Sequence, residues 1–565
     1  MNHSLQKFII SVLLFLSLFC FLGLPFTHWW FNGDDFSGLA LGKNMQTWKT
    51  FWYHFVEGNV SKYFYPSHHP SYLQYGAAPS GNLHFFNIYY RPIQCAYFAL
   101  THWLFSFNAY SYYLVSVFIH AINTTLLWNM LTWFTKRVPA LFFALLFALH
   151  PQIGFRFGAP ANFQYYFNVL LLLLTVLALK KFLDSRRYCF LFLSVFCYTI
   201  ALFTRETAIV FFALLFLGSW LYQKKFSLAP VAHSAAALGY LAIRIYLYPF
   251  IFPQVTLGNI TSTIPAVYST ICSRFSEILV FIYDTLSLSW LPFGHKLLRL
   301  SILTSAALCM IILFLQNRHK LLLTFLAISY VIMLWPSLFG AYSPRYFYEA
   351  SPLLMVFYAT LKGGIQKKLF IFDNSLTKII ITFASTTLIC LYAFFTYTNL
   401  RCRETKLFTM KQAFITLARD KQITSGTRPL CFLAFPVDGF GTGIEQAAWL
   451  FLTPSNNSVY YDPSTMLIQT DSNILEHADW YVRCAPYHTK NYVTIIQVPN
   501  GLRFTLTNSQ KINFGKLSNY LSLGKKIVHQ TTIVNGQKVI TDFTLIFEPK
   551  YQRQNILIIT WDYEK

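Results

Sequence analysis

Repeated apolar runs, each long enough to cross a lipid bilayer, dominate the first two-thirds of the chain. Hydrophobic residues make up 55% of the 565 residues and charged residues only 12%, so one water-soluble core cannot accommodate these runs. Aromatic residues crowd the ends of the runs, where their rings suit the depth of lipid headgroups. The sequence therefore predicts an α-helical polytopic membrane protein.

The net charge of +23 raises the alternative of a nucleic-acid-binding protein. The basic residues instead form small clusters between the apolar runs, such as Lys136-Arg137, Lys180-Lys181 and Arg186-Arg187, and no single basic face is evident. Clusters of this kind mark cytoplasmic loops. We interpret them as topology signals and expect no nucleic-acid partner.

The clusters predict a topology. The first run, residues 8–26, is too long for the apolar part of a signal peptide and lacks a small-x-small cleavage site, so we expect a retained helix with a cytoplasmic amino terminus. Further spans are predicted at 110–134, 138–150, 162–179, 188–204, 206–223, 229–248, 299–315, 321–339, 351–361 and 377–398. This gives about eleven helices, and an odd count places the carboxyl tail outside.

Two outer loops follow from this count. The first, 27–108, is large, and its apolar piece 92–105 is expected to lie along or dip into the membrane surface. The second, 249–298, contains the apolar segment 276–290. A crossing at 276–290 would place the basic residues near 318–320 outside, so we predict a surface or re-entrant helix there.

The composition changes at about Leu400, which divides the chain into a membrane domain, 1–400, and a tail, 401–565. The tail alternates polar residues with short apolar strings at 431–435, 492–498, 526–534, 538–547 and 555–561. Asn535-Gly536 between two such strings predicts a hairpin. We expect a soluble extracytoplasmic domain, α/β or mostly β. Cys431 and Cys484 are candidates for a disulfide there.

Asp34 and Asp35 stand side by side where the first apolar run gives way to polar sequence. Carboxylates are costly near hydrocarbon, so an acidic pair at a membrane boundary indicates a site that faces a polar cavity. The alternative is a hydrated loop or a helix cap.

Other polar residues fall on the same outer face under this topology. They are His68, His69, Arg91, His150, Arg156, Arg205, Glu206, Arg345 and Glu349. An arginine matches a phosphate through two parallel hydrogen bonds, and a carboxylate can accept the proton of an attacking hydroxyl. The combination indicates transfer from a lipid phosphate.

Simpler explanations exist for the same residues. Arg205-Glu206 could be a local ion pair that holds two helix ends, Arg345 could be an interfacial anchor, and Arg91 could position a surface helix. The histidines with the acids could hold a divalent metal, but adjacent histidines are not a specific ligand spacing, so no metal or other cofactor is predicted. His120 and Asn123 lie inside an apolar run, which favours hydrogen bonding between helices.

The order and spacing of several short motifs resemble the GT-C glycosyltransferases over residues 8–400. The motifs are Gly33-Asp34-Asp35-Phe36, Tyr90-Arg91-Pro92-Ile93, His120-Ala121-Ile122-Asn123, Ala148-Leu149-His150-Pro151, Thr204-Arg205-Glu206-Thr207-Ala208 and Arg345-Tyr346-Phe347-Tyr348. They are most similar to the branch of protein O-mannosyltransferases and transmembrane TPR-containing O-mannosyltransferases. The resemblance implies a polyprenyl-phosphate sugar as donor and an acidic base in the first outer loop, at Asp34 or Asp35. The chain departs from the branch at Arg205, where the TPR-bearing members usually have lysine, and in lacking a TPR array.

The hypothesis is an inverting displacement in a multi-pass protein of the plasma membrane, or of the inner membrane in a bacterium. Asp34 or Asp35 accepts the proton of a hydroxyl on a protein or glycolipid acceptor, and Arg205, Arg345 or both hold the lipid phosphate. Arg91 is a further donor-binding candidate. Glu206 and His150 are predicted to support the site. A transporter or flippase is the main alternative; the large first outer loop and the lack of paired broken helices favour an enzyme.

Overall fold

The computed structural model describes residues 3–31, 34–45, 47–57, 91–150, 160–223, 228–247, 319–339, 345–364 and 375–419, together with seven strands between 430 and 560. For Asp34 and Arg345 the description covers the backbone alone. Several predictions lie outside the described residues: the span 299–315, the surface segment 276–290, His68, His69, Arg156, Cys484, residues 58–90 of the first outer loop and all of the second.

Most of the described helices coincide with predicted apolar segments, whereas two lie in the predicted first outer loop, at 34–44 and 48–57, and the last extends from 375 to 419. The described helices are α1 (His3–Gly23), α2 (Asp34–Asn44), α3 (Trp48–Glu57), α4 (Pro92–Phe105), α5 (Ala109–Leu131), α6 (Arg137–Ala148), α7 (Phe163–Ser185), α8 (Tyr188–Thr204), α9 (Phe211–Gln223), α10 (Leu228–Leu247), α11 (Lys320–Phe339), α12 (Arg345–Gly364) and α13 (Ser375–Arg419). Two short 3-10 helices, Pro160–Asn162 and Glu206–Val210, lead into α7 and α9.

Four of the described helices are long and apolar enough to cross a membrane: α1, α5, α7 and α10. Shorter apolar helices include α6, α8 and the first half of α11. Large apolar side chains such as Phe8 of α1, Phe192 of α8 and Phe383 of α13 are exposed on the helix surfaces. Water would disfavour such a surface, whereas lipid accommodates it, as in an α-helical membrane protein. The number and orientation of the spans stay predictions.

Buried hydrogen bonds join α5, α6, α7 and α12. His120 Nε2 lies 3.1 Å from the Ala148 carbonyl oxygen, which assigns a proton to Nε2 and makes Nδ1 the acceptor for the Tyr348 hydroxyl at 2.9 Å. Asn123 Nδ2 donates to the Tyr348 hydroxyl and to the Tyr166 carbonyl oxygen, both at 2.9 Å. The predicted hydrogen bonding of His120 and Asn123 between helices is confirmed.

Two glycines allow α2 to pack closely on α4. A Cβ on Gly38 would overlap the ring of Phe98, and one on Gly42 would lie 2.6 Å from the Phe98 carbonyl oxygen and 2.8 Å from His102 Cβ. Glycines four residues apart lie on one face of a helix and let two backbones approach. Because Gly38 and then Gly42 meet successive positions of α4, the helices run in the same direction. This packing places Asp35 beside the amino end of α4.

Gly42→Ala is expected to lower the free energy of unfolding by about 1–3 kcal/mol, because the added methyl meets backbone rather than a movable side chain. Gly239→Ala in α10 is the matched control, since a Cβ there meets nothing within 4 Å. The control should change stability by about 1 kcal/mol or less, in the stabilising direction. Denaturation of the two purified variants in detergent, beside the wild type, measures the change in the free energy of unfolding for each. Equal stabilities would contradict the close approach of α2 and α4.

The last helix, α13, continues from Ser375 to Arg419 through the predicted domain boundary at residues 400–401. Leu400 and Leu407 on this helix are buried in the main apolar core of the described bundle. The change to polar residues after Leu400 therefore does not end the helix, because apolar residues at helical spacing still pack on one face.

Beyond α13 the described segments are strands. They are β1 (Leu430–Leu433), β2 (Val459–Tyr461), β3 (Val493–Val498), β4 (Gly501–Leu506), β5 (Gly524–Val534), β6 (Gln537–Phe547) and β7 (Leu557–Thr560). One sheet has the order β2-β1-β7 with parallel pairing, and the other has the order β3-β4-β6-β5 with antiparallel pairing. The strands overlap the apolar strings seen in the sequence. A soluble extracytoplasmic domain stays a prediction.

Candidate functional site

Asp35 lies in the first turn of α2 and its side chain is fully buried. Its Oδ1 accepts a hydrogen bond of 2.7 Å from the N–H of Ala161. Ala161 belongs to the 3-10 turn that begins α7, where N–H groups have no partners within the helix and the helix dipole favours negative charge. This hydrogen bond joins the first turn of α2 to the amino end of α7.

α4 also contacts the amino end of α7. The ring of Tyr97 stacks on Phe163 with centroids 3.6 Å apart. Gln94 Nε2 donates to the Ala161 carbonyl oxygen at 3.3 Å. Ala161 therefore binds α2 through its N–H and α4 through its carbonyl oxygen. These two hydrogen bonds hold the amino ends of α2 and α4 next to the start of α7.

Arg205 and Glu349 form a buried ion pair. Arg205 Nε lies 3.3 Å from Glu349 Oε1, and the two side chains are 2% and 1% exposed. The other lone pairs of Glu349 are used as well: Asn168 Nδ2 donates to Oε1 at 2.8 Å and the Thr207 hydroxyl donates to Oε2 at 3.1 Å. The guanidinium of Arg205 lies 3.7 Å above the Tyr165 ring. The hydrogen bonds to Glu349 and the aromatic face beneath Arg205 offset part of the cost of burying these two charges.

Glu206, the next residue, has different partners. Arg91 donates to its carboxylate through Nε at 3.1 Å and Nη2 at 2.9 Å, and Arg244 Nη1 lies 3.4 Å away. Arg91 is also the residue from which α4 begins. Arg205 and Glu206 thus bind residues far away in the chain rather than each other, and the alternative of a local ion pair between them is wrong.

These contacts define an arginine–glutamate cluster of Arg91, Arg205, Arg244, Glu206 and Glu349. Among the described residues, three arginines face two glutamates in this cluster. Arg345, the first residue of α12, precedes Glu349 by one helical turn. Guanidinium groups are suited to an anion such as phosphate.

The cluster is close to the acid pair because both attach to the start of α7. Ala161 binds Asp35, and Tyr165, four residues later, lies under the guanidinium of Arg205. Four residues along a helix span about one turn, or roughly 6 Å. The Asp35 carboxylate and the arginine–glutamate cluster therefore both contact the first turns at the amino end of α7.

His150 lies where α6 ends and is buried against α13. Its ring packs edge-on to Tyr392 with centroids 5.4 Å apart, and Thr396 donates to the carbonyl oxygen of Leu149 at 2.6 Å. These contacts join α6 to α13. The predicted supporting role of His150 at the site stays a prediction.

Metal-ligating side chains do not converge in the part of the chain that the structure describes, which contains no group of three or more His, Cys, Asp or Glu. His68 and His69 lie outside that part. The expectation that the site works without a metal stays a prediction.

Several residues of the site were absent from the predictions. They are Ala161, Tyr165, Asn168, Thr207 and Arg244. Arg244 carried a usable signal, because a charged residue inside an apolar run marks a functional or paired position. The other four carry no such signal, and their partners come from packing between distant segments: Ala161 contacts α2 and α4, Tyr165 contacts Arg205, and Asn168 and Thr207 bind Glu349 of α12.

No protein-family model matches this chain, and no curated protein matches it. The resemblance to GT-C glycosyltransferases consequently rests on the ordered motifs.

Proposed function

We propose that this chain is a membrane glycosyltransferase of the GT-C type, which transfers a sugar from a polyprenyl phosphate to a hydroxyl of a protein or glycolipid. The observation that supports it most is the attachment of the Asp35 turn and the arginine–glutamate cluster to one end of α7. An acid and several arginines at the same end of α7 suit a hydroxyl nucleophile and a phosphate leaving group.

The reaction is a single displacement. Asp34 accepts the proton of the acceptor hydroxyl as its oxygen attacks the anomeric carbon; the bond from that carbon to the phosphate oxygen breaks, and the lipid phosphate leaves with the electron pair. A phosphate needs no proton to leave, so arginines suffice on that side. Asp35, buried and bonded to Ala161, anchors the turn that carries Asp34. Attack from the opposite face inverts the anomeric configuration.

Among the arginines, Arg345 is assigned to the lipid phosphate. Arg91 and Arg205 already bond carboxylates, so their first role is to hold the ends of α4, α8 and α12 together. They also supply the positive field in which an anionic headgroup binds. On this proposal Asp34, Arg345 and the tail share the outer side of the membrane, and the amino terminus is cytoplasmic.

Arg345→Lys is expected to weaken binding of a polyprenyl phosphate by about 1–3 kcal/mol, because lysine keeps the charge but loses the two parallel hydrogen bonds. Arg345→Ala should cost at least as much. The measurement is donor affinity of the purified variants in nanodiscs. If Arg345 only anchors the helix at the interface, lysine will replace it with little effect, since either side chain can reach the headgroups.

The function is tested with purified protein and a panel of labelled polyprenyl-phosphate hexoses and pentoses. A transferase releases the labelled sugar from its lipid in the presence of an acceptor. The alternative, a transporter or flippase, moves the intact lipid-linked sugar between leaflets of a proteoliposome and leaves the sugar–phosphate bond unbroken. Movement without cleavage would replace the proposal with that alternative.

A further inference from the structure

The second half of α13 packs against the segment that leads into the acid pair, residues 28–31. Glu404 Oε1 accepts the backbone N–H of His28 at 2.6 Å. Phe408, one turn further along α13, lies 5.1 Å from the His28 ring, and Lys411 Nζ lies 5.7 Å above the ring of Trp30. Contacts at positions 404, 408 and 411 fall on one face of the helix. This face of α13 therefore contacts residues 28–30, shortly before Asp34 in the sequence.

Glu404 is buried where an apolar residue would pack more simply. Its side chain is 2% exposed, and Leu400 and Leu407 on either side belong to the same apolar core as Trp29 and Phe31. A buried carboxylate is costly unless its oxygens are hydrogen-bonded. Both oxygens of Glu404 are used, Oε1 by His28 and Oε2 by Arg401 at 2.5 Å.

The two partners of Glu404 lie in different parts of the chain, so the two hydrogen bonds have different structural effects. Arg401 is a neighbour on the same helix and its side chain is 53% exposed, so this pair contributes little to stability. The bond to His28 instead joins two segments separated by 376 residues in sequence. His28 stands six residues before Asp34. The distinctive effect of the carboxylate is therefore to fix the backbone from which the acid pair projects.

We propose that Glu404 is a positioning residue for the acid pair, which acts by holding the segment 28–31 that leads into Asp34 and Asp35. Glu404 lies on a helix that packs into the main apolar core through Leu400 and Leu407, so the residue that binds His28 is itself held by the bundle. The effect on transfer rests on the proposed function. The contact between Glu404 and the segment 28–31 does not.

Hydrogen–deuterium exchange of the full chain tests the contact. Glu404→Ala removes the acceptor, and exchange at the His28 amide should rise about 10-fold or more. Glu404→Gln keeps an acceptor oxygen and should exchange like the wild type. Thr398→Ala is the matched control, because its hydroxyl donates to the Phe394 carbonyl oxygen of the same helix. The proposal would be overturned if the His28 amide of Glu404→Ala exchanged at the wild-type rate. It would also be overturned if Glu404→Ala and Glu404→Gln lost equal protection at that amide.

Sugar transfer provides the second readout. Glu404→Ala should lower kcat about 10- to 100-fold and leave the KM for the donor within about twofold, since misplacing a catalytic group slows the reaction more than it weakens binding. Glu404→Gln should restore kcat. An equal rise of KM in both variants would contradict positioning. If wild-type protein transfers no sugar, the proposed function fails, and the exchange at His28 still decides whether Glu404 holds the segment.

Discussion

Replacing Asp34 with asparagine is expected to lower sugar transfer by about 10² to 10⁴-fold, the usual contribution of a general base. Asparagine has nearly the size of aspartate and retains hydrogen bonding but cannot accept the proton of the acceptor hydroxyl. Donor binding and the thermal stability of the protein should persist. The measurement is transfer by purified Asp34→Asn beside the wild type, with donor affinity determined on the same preparations.

Asp35→Asn is the matched variant. Its amide oxygen can still accept the Ala161 N–H, so the anchor of α2 is retained and transfer should fall much less than in Asp34→Asn. A larger loss of transfer in Asp35→Asn than in Asp34→Asn would make Asp35 the base and Asp34 the supporting group. Unchanged transfer in both variants would remove the acid pair from the mechanism.

The largest loss of stability is expected at the buried ion pair. Glu349→Gln removes the carboxylate charge that faces the Arg205 guanidinium, and removal of one partner from a buried ion pair costs about 3–5 kcal/mol. Denaturation in mixed micelles measures the loss. Lys180→Ala is the control, because the pair Lys180–Asp184 is largely solvent-accessible and contributes about 0.5 kcal/mol or less.

The double variant Arg205→Met, Glu349→Leu separates structure from function. Apolar residues of similar volume can replace a buried ion pair with little loss of stability, so the double variant should be more stable than Glu349→Gln. The double variant removes one positive and one negative charge, so the net charge of the cluster is unchanged, and transfer should fall only if the Arg205 guanidinium itself faces the lipid phosphate. Full activity in the stable double variant would limit the pair to a structural role.

The positions of the helices could be predicted from the sequence because length and apolarity decide which segments suit a bilayer. α1, α5 and α7 lie where the apolar runs are, and the buried bonds of His120 and Asn123 follow from their place inside such a run. The close packing of α2 on α4 was also encoded, in the spacing of Gly38 and Gly42, but it was not predicted.

The pairing of charges could not be predicted, because it depends on contacts between distant helices. Arg205 and Glu206 are adjacent in sequence, and the backbone between α8 and the following 3-10 turn directs them to Glu349 and Arg91. The continuation of α13 beyond Leu400 was hidden for a similar reason. A change to polar composition does not show whether a helix continues when the core on which the helix packs is unknown.

Incubation of purified wild-type protein with a labelled polyprenyl-phosphate sugar of known anomeric configuration tests the central claim most directly. We expect the label to move to an acceptor hydroxyl with inverted configuration and to stay on the lipid when Asp34 is asparagine. A stable, folded wild-type protein that leaves the sugar–phosphate bond intact across the whole panel of hexose and pentose donors would contradict the account.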